Sequence, residues 1–293
     1  MKTWTWLGRV AALCAFVAPA VAGLAAETNA TATSTSTSNA PAKPIFADKN
    51  LEAAVRKYVF EKRDNDKPLV EADLINLSTI EAKGLGITNL TGLEKCRELA
   101  ALDLARNKIS DLTPIQELRK IQSLTLSDNA IEQLAPLSNI TALQYLELSR
   151  NKVKDVQPLA GLTNMASLYL SQNQLADAAP VLKLPRLSSL YLDQNRLKSI
   201  QGVEQLRGLF TLSLSQNQLS DLKPFATFAG AYNLFLEGNK IKDLAPLVEM
   251  AQKDKEQRFA PFLNLYLKGN PLSSAAKGKQ SDALKQIGVR LNN

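Results

Sequence analysis

The feature that most constrains this chain is a regular spacing of asparagines. Seven of them follow one another at intervals of 22 residues, and an eighth follows after 31 residues. A fixed period of about 20 to 50 residues indicates stacked structural repeats, each of which contacts chiefly its neighbours. The eight residues are Asn107, Asn129, Asn151, Asn173, Asn195, Asn217, Asn239 and Asn270.

Leucines surround each asparagine in one pattern, as in LQYLELSRNKV (143–153) and LFTLSLSQNQL (209–219). The pattern matches the leucine-rich-repeat consensus L-x-x-L-x-L-x-x-N-x-L. Leucines such as Leu146 and Leu148 alternate with polar residues, which predicts a short strand with one buried face. The asparagine amide can donate to and accept from backbone groups of adjacent coils. We therefore predict that the eight asparagines form a structural ladder.

The other half of each repeat carries a column of prolines, replaced by Gly92 and Gly202 in two repeats. Proline favours the first turn of a helical segment, so short helices or turns are predicted opposite the strands. Aspartates three residues before the prolines, such as Asp111 and Asp155, are expected to accept backbone N–H groups at a turn. Cys96 falls in an apolar column and is expected to be a core thiol.

The motif N-x-I/L-x-D-L-x-P-L recurs from about residue 77 to 247 and resembles the Sds22-like leucine-rich repeats of bacterial internalins. The preceding FADKNLEAAVRKYVF and VEADLINLSTIEAKGLGITNLTGLE resemble the helical cap and degenerate first repeat of such domains. The resemblance implies a curved α/β solenoid with a parallel sheet on its concave face and short helices or turns on its convex face. It also implies protein binding, with no partner named.

The N-terminus predicts export. Lys2 and Arg9 flank the start of an apolar stretch over 10–17, and Ala20 and Ala22 form an A-x-A cleavage site. This order is typical of a secretory signal peptide over 1–22, with cleavage after Ala26 as the alternative. We expect a periplasmic or secreted protein with no transmembrane segment after cleavage.

Four further segments follow the signal peptide. The predicted order is a Thr/Ser-rich disordered spacer over 23–44, a helical N-terminal cap over 45–76, leucine-rich repeats over 77–272 and a helix and strand cap over 273–293. The repeats comprise one degenerate unit and eight marked by asparagine. Nine extra residues precede Asn270, and EMAQKDKEQRFA (249–260) predicts a charged helix longer than its counterparts. Covering the apolar end of the solenoid is its main interpretation, and docking is the alternative.

Composition argues against catalysis and against a metal or other cofactor. The chain contains no histidine, and Cys96 is the one cysteine beyond the signal peptide. An imidazole base, a histidine metal site and an internal disulfide are therefore excluded. Asp103 and Glu147 are predicted to share the sheet face, but a repeat carrying Thr125 separates them. We predict no catalytic residue and no enzyme activity.

The outward strand positions are the predicted partner-binding surface on the concave face. This surface comprises Asp103, Tyr145, Glu147, Tyr169, Tyr191, Phe235 and Tyr266. Aligned aromatic side chains are typical anchors for a protein partner. The alternative is that tyrosine and phenylalanine favour strands and stack on one another across the sheet.

A basic rim is predicted where the strands end. It consists of Arg106, Lys108, Arg150, Lys152, Arg196 and Lys240. Such a rim would attract an anionic polymer such as an envelope glycan or nucleic acid, which is the alternative function. Solvated charge for solubility remains the simpler interpretation. Without residues 1–22 the chain keeps 33 basic against 28 acidic residues, a mild excess that favours no partner.

Overall fold

A computed structural model describes residues 44–292 of the chain. The predicted signal peptide and all but the last residue of the predicted spacer lie outside the described residues. In the described part, ten three-residue strands form one parallel sheet in chain order. The strands are β1 (Thr79–Glu81), β2 (Ala101–Asp103), β3 (Ser123–Thr125), β4 (Tyr145–Glu147), β5 (Ser167–Tyr169), β6 (Ser189–Tyr191), β7 (Thr211–Ser213), β8 (Asn233–Phe235), β9 (Asn264–Tyr266) and β10 (Arg290–Asn292).

The strands pair in the register set by the repeat. Leu124 of β3 pairs with Leu102 of β2 on one side and with Leu146 of β4 on the other. These leucines are buried while the residues beside them are half-exposed, because successive strand residues point to opposite faces of the sheet. Stacked leucines thus form a continuous core, and the predicted leucine-rich-repeat solenoid with a parallel sheet is confirmed. We call the solvent side of the sheet the sheet face.

Short 3₁₀ helices lie in the other half of the repeats. Proline stands in the first turn of most of them, as predicted, because its fixed φ suits a helix start and its missing N–H is not needed there. Gly92 and Gly202, with φ of 109° and 102°, precede two others. The 3₁₀ helices are Leu93–Lys95, Thr113–Ile115, Ala135–Leu137, Gln157–Leu159, Val181–Lys183, Val203–Gln205, Lys223–Thr227 and Ala260–Phe262.

The aspartates before these helices order the turns. Asp111 accepts the Thr113 amide at 2.8 Å, and Asp155 accepts the Gln157 amide at 2.8 Å. The carboxylates therefore satisfy N–H groups at the helix starts, as expected. Cys96 is fully buried in the core, and burial, reinforced by the charge of Glu94, raises the pKa of its thiol to about 12.

Two helices precede β1: α1 (Lys49–Arg56) comes first, and α2 (Glu71–Leu74) follows after a turn. α1 buries Leu51, Ala54 and Val55 against the first coils. The Asp48 carboxylate caps α1 by accepting the Leu51 amide at 3.2 Å, and it also accepts the Thr88 amide at 2.9 Å. The same side chain thus starts the helix and fixes it to the first repeat.

The prediction of a long charged helix over 249–260 was wrong in its bounds. The helix α3 spans Ala245–Lys253 and ends before most of the charged residues. Asp254 ends it, because its carboxylate accepts the amides of Arg258, Phe259 and Ala260 at 2.8–3.0 Å and holds a turn instead. Gln257 within this turn has a φ of 51°, which a helix does not allow.

A helix and a strand cover the far end of the repeats. A π-helical turn over Ala276–Gln280, kinked at Gly278, leads directly into α4 (Ser281–Ile287). β10 then pairs with β9 and extends the sheet by one strand. Leu284 of α4 and Val289 before β10 join the core, so these elements shield its last leucines from water.

Candidate binding surface

Three tyrosines form a contiguous row on the sheet face. Tyr169 of β5 and Tyr191 of β6 are register partners, and their rings stack with centroids 4.8 Å apart and planes 11° apart. Tyr145 of β4 lies diagonally beside Tyr169, with ring centroids 5.4 Å apart. The rings are half-exposed and hold one another in place. Together they form an ordered, mostly apolar surface that is in contact with solvent and carries phenolic hydroxyls.

A second aromatic pair continues the row after a gap of one strand. Phe235 of β8 and Tyr266 of β9 are register partners with ring centroids 4.3 Å apart. Ser213 of β7 lies between the two groups, is almost fully buried and donates its hydroxyl to Asp193. The aromatic row, defined as Tyr145, Tyr169, Tyr191, Phe235 and Tyr266, is thus divided into three rings and two.

The two predicted carboxylates of the sheet face do not meet. Asp103 of β2 and Glu147 of β4 both pair with Thr125 of β3, which stands between them. Asp103 accepts the Ala105 amide at 2.9 Å, and Glu147 accepts the Ser149 amide at 2.7 Å. Each carboxylate therefore caps the end of its own strand.

The surroundings of Tyr145 and Tyr169 raise the pKa of both phenols. Burial, followed by the charges of nearby Glu147 and Asp103, raises the pKa of Tyr145 to about 12. Burial and the neighbouring Tyr191 and Glu147 also raise the pKa of Tyr169. Both hydroxyls therefore stay protonated over the physiological range and can donate a hydrogen bond to a partner.

Acidic side chains offset part of the predicted basic rim. Asp128 lies between Arg106 and Arg150: its carboxylate accepts the Arg150 guanidinium in a two-point contact that includes Nη2 to Oδ2 at 2.6 Å. Arg106 Nε lies 3.9 Å from the same carboxylate, and Lys152 Nζ lies 3.8 Å from Glu132. Among residues 44–292, Lys108, Arg196 and Lys240 make no ion pair. The free charge of the rim is therefore smaller than its sequence indicates.

All eight predicted ladder asparagines make the same set of contacts. In Asn151, Nδ2 donates to the Leu126 and Leu148 carbonyls at 2.9 and 3.0 Å, and Oδ1 accepts the Ile131 amide at 3.0 Å. Asn270 makes the equivalent contacts despite its longer interval. The other six are Asn107, Asn129, Asn173, Asn195, Asn217 and Asn239. Each amide joins two consecutive coils, and its oxygen and nitrogen are both used in hydrogen bonds within the solenoid.

Sequence reasoning missed a group of exposed aromatic rings one or two residues before three consecutive strands. Phe210, Tyr232 and Phe262 are 55%, 39% and 51% exposed. Their rings lie side by side, with centroids 5.1 Å apart for Phe210 and Tyr232 and 6.4 Å apart for Tyr232 and Phe262. For Phe210 and Tyr232 the signal was present, because the position directly before the strand is Ala, Gln or Ser in most other repeats. Phe262 instead ends the 3₁₀ helix Ala260–Phe262, two residues before β9.

No helix within residues 44–292 is long and apolar enough to cross a membrane. Nor do these residues bring three or more histidine, cysteine, aspartate or glutamate side chains together in a way that could hold a metal ion.

Comparison with known proteins agrees with this geometry. A family model described as leucine-rich repeats, in two copies, matches residues 119–161. No curated protein matches the chain. The matched repeats and the stacked parallel strands thus give the chain the leucine-rich-repeat fold.

Among solved structures, the chain is similar to bacterial internalins. It is 25% identical to an internalin from Listeria monocytogenes, with a TM-score of 0.70 over 85% of this chain and 76% of that one. It is 28% identical to internalin C2 of the same organism, with a TM-score of 0.59 over 85% and 95% of the two chains. A leucine-rich-repeat protein of Leptospira interrogans shares the fold at 24% identity and a TM-score of 0.59, over 70% and 57%. The chain is thus an internalin-like solenoid.

Proposed function

We propose that this chain is an exported, non-enzymatic module that binds a protein partner through the aromatic row of its sheet face. The observation that carries the proposal is the contact of Tyr145, Tyr169 and Tyr191 on the solvent side of three consecutive strands. Similarity to internalin repeats and the sequence of the N-terminus support the same role. A secretory signal over residues 1–22 delivers the module to the periplasm or beyond.

The physical basis of binding is preorganisation. A tyrosine has only two side-chain torsions, and stacking between neighbours already restricts them. Binding therefore costs little additional side-chain entropy, while the ring faces supply apolar area and the neutral hydroxyls supply hydrogen bonds. Aromatic residues with these properties are enriched among the few that carry most of the binding energy.

The chemistry of the nucleophilic and acidic side chains supports binding over catalysis. The buried thiol of Cys96 has a pKa of about 12, so its nucleophilic thiolate form is scarce. The serines of the repeat have no histidine to activate them, since the chain has none. Asp103 and Glu147 are separated by a strand and cap their own strand ends.

The test begins with the chain lacking residues 1–22 as bait for partners in envelope and culture fractions. Tyr169→Ala and Tyr191→Ala are then measured separately against the partner obtained, with a weakening of about 30-fold expected for each, from about 2 kcal/mol at a hot spot. Phe60→Ala is the control, because this ring is 77% exposed between α1 and α2 and stacks on none of the five rings of the row. Unchanged affinity of both folded tyrosine variants would remove the sheet face as the site.

A further inference from the structure

A cavity of about 420 Å³ lies at the edge of the solenoid where the chain enters β7 and β8. Its lining includes Arg207 and Ala229 from the repeats, Tyr232 at the start of β8, and Arg258 and Phe259 from the inserted segment. The volume lies within the range of about 300–1,000 Å³ that is typical of ligand pockets. This cavity is distinct from the aromatic row, none of whose five residues lines it.

The nine extra residues of the last interval build one wall of this cavity. Phe259 packs over Gly230, where a β-carbon would stand only 2.2 Å from the phenylalanine ring. Gly230 also has a φ of 93°, a conformation that residues with side chains rarely adopt. On the other side, the Asp254 carboxylate holds the Arg258 and Phe259 amides. Because backbone and side-chain contacts both fix Phe259, the wall is a formed surface.

The exposed aromatic rings continue this surface to the outside. Tyr232 lines the cavity and also touches Phe210 and Phe262, whose rings are more than half exposed. Large apolar side chains exposed together, next to a concave surface, mark interaction sites on soluble proteins. Phe210 and Phe262 therefore form a shelf beside the cavity, with Tyr232 common to both.

The charges at the cavity favour an acidic occupant. Arg207 makes no ion pair with any residue of 44–292, whereas the lining carboxylate of Glu204 already accepts the Gly202 amide at 3.1 Å. Arg258 lies 3.3 Å from Glu256, but both side chains are more than 70% exposed, so this contact contributes little. The Arg207 guanidinium is exposed at the cavity mouth and can hold a carboxylate through two parallel hydrogen bonds, which adds direction to a modest ion pair.

We propose that this cavity is a second binding site, which accepts a protein segment carrying an apolar side chain next to an acidic one. The apolar side chain enters between Phe259 and Tyr232, and the acidic side chain pairs with Arg207. The shelf of Phe210 and Phe262 contacts the next residues of the bound segment. The site shares no residue with the aromatic row, so a test that excludes binding at one surface does not exclude binding at the other. It gives the inserted segment a docking role that its capping position alone does not require.

The test uses a phage-displayed library of random heptapeptides, selected on the chain lacking residues 1–22. We expect enriched peptides to share an apolar residue beside Asp or Glu. Ala229→Trp should abolish their binding, because Ala229 is exposed and a large ring there fills the cavity without entering the core. Thr163→Trp is the matched control, since Thr163 is also exposed and occupies the same repeat position three coils earlier. Circular dichroism establishes that both variants are folded.

A charge series then tests the role of Arg207. Changing the acidic residue of a selected peptide to its amide should weaken binding up to about fivefold, measured by fluorescence polarisation, because Arg207 is exposed. Arg207→Gln should have a similar effect on the original peptide, and the two changes together should cost much less than the product of both. The proposal is overturned if no peptides are enriched, if they lack the apolar–acidic pair, or if they bind Ala229→Trp as tightly as wild type. Full additivity of the two charge changes would exclude Arg207 as the contact.

Discussion

At the scale of single residues, the asparagine ladder determines which backbone groups stay satisfied between coils. One amide side chain contacts two carbonyls and one N–H of neighbouring coils, and six of the eight asparagines are buried. A buried polar group without a partner costs about 1–3 kcal/mol, so the loss of one asparagine affects several groups at once.

We therefore expect Asn151→Ala to lower the free energy of unfolding by about 2 kcal/mol, since the buried Ile131 amide loses its partner while the Leu126 and Leu148 carbonyls keep the amides of Asn129 and Asn173. Asn129→Ala is the internal comparison, because Asn129 makes the same contacts but is only partly buried, so water can replace its amide. Its cost should be about 1 kcal/mol. Urea unfolding of both variants provides the measurement. Equal losses would show that burial does not set the cost of breaking the ladder.

A column of left-handed residues also emerged that no sequence pattern indicated. The residue before each asparagine has a φ near +57° in six successive repeats, at Arg106, Asp128, Arg150, Gln172, Gln194 and Gln216. Glycine takes the same position in the flanking coils at Gly84, Gly238 and Gly269. Side chains pay a steric penalty in this conformation, which the stacked coils impose on every repeat.

Gly84→Ala isolates that penalty, because a β-carbon at Gly84 meets nothing within 4 Å while the φ of 72° remains unfavourable. We expect a loss of about 1 kcal/mol in the free energy of unfolding. Gly161→Ala is the matched control: it too has open space around it, but its φ is not positive. That change should be neutral or stabilise by up to about 1 kcal/mol through the unfolded chain. Thermal unfolding of the two variants measures both effects. A Gly84→Ala variant more stable than wild type would contradict a steric penalty at this position.

At the scale of elements, the repeat period predicted the strands, their parallel order and their register. A constant spacing of 22 residues places equivalent residues of neighbouring repeats side by side in the sheet. The row of Tyr169 and Tyr191 could be predicted for the same reason. The shape of the inserted segment could not, since helical propensity over 249–260 competes with a carboxylate whose three partners are visible only in the folded turn. Ion pairing within the rim, as between Arg150 and Asp128, likewise depends on side-chain conformation rather than on spacing.

Asp254→Ala should loosen the turn and lower the free energy of unfolding by about 2 kcal/mol, the scale of hydrogen bonds to a charged group. Burial opposes its ionisation, but the amides of Ala260, Phe259 and Arg258 donate hydrogen bonds to the carboxylate and lower the pKa of the carboxyl below 3.8. A depressed folded pKa means that the contribution is complete above pH 3.8 and is lost as pH falls through the lower folded value.

The difference in stability between wild type and Asp254→Ala should accordingly shrink in acid, below about pH 3.8. Asp282→Ala is the control, because Asp282 is exposed and pairs only with Lys285 at 3.7 Å. Unfolding in urea at pH 7 and at pH 3 measures both effects. A difference that persists unchanged at the lower pH would mean that the carboxylate charge does not hold the turn.

At the scale of the whole molecule, two features of the surface act over different distances. The aromatic row acts on contact, whereas the basic rim acts through a field that salt screens within about 8–10 Å. Part of the rim is already neutralised by Asp128 and Glu132. The remaining cations therefore influence how fast a partner arrives more than how long it stays.

Binding kinetics with the captured partner should separate these contributions. Arg196→Gln with Lys240→Gln removes two cations that make no ion pair within residues 44–292, and we expect a few-fold slower association at low ionic strength with little change in dissociation. Tyr169→Ala should instead accelerate dissociation about 30-fold with little effect on association, because the ring contacts form only in the complex. Arg150→Gln provides the comparison for the rim, since Asp128 already offsets this charge. Surface plasmon resonance at two salt concentrations measures each rate, and a rim variant that speeds dissociation as much as Tyr169→Ala would place the rim, not the aromatic row, inside the interface.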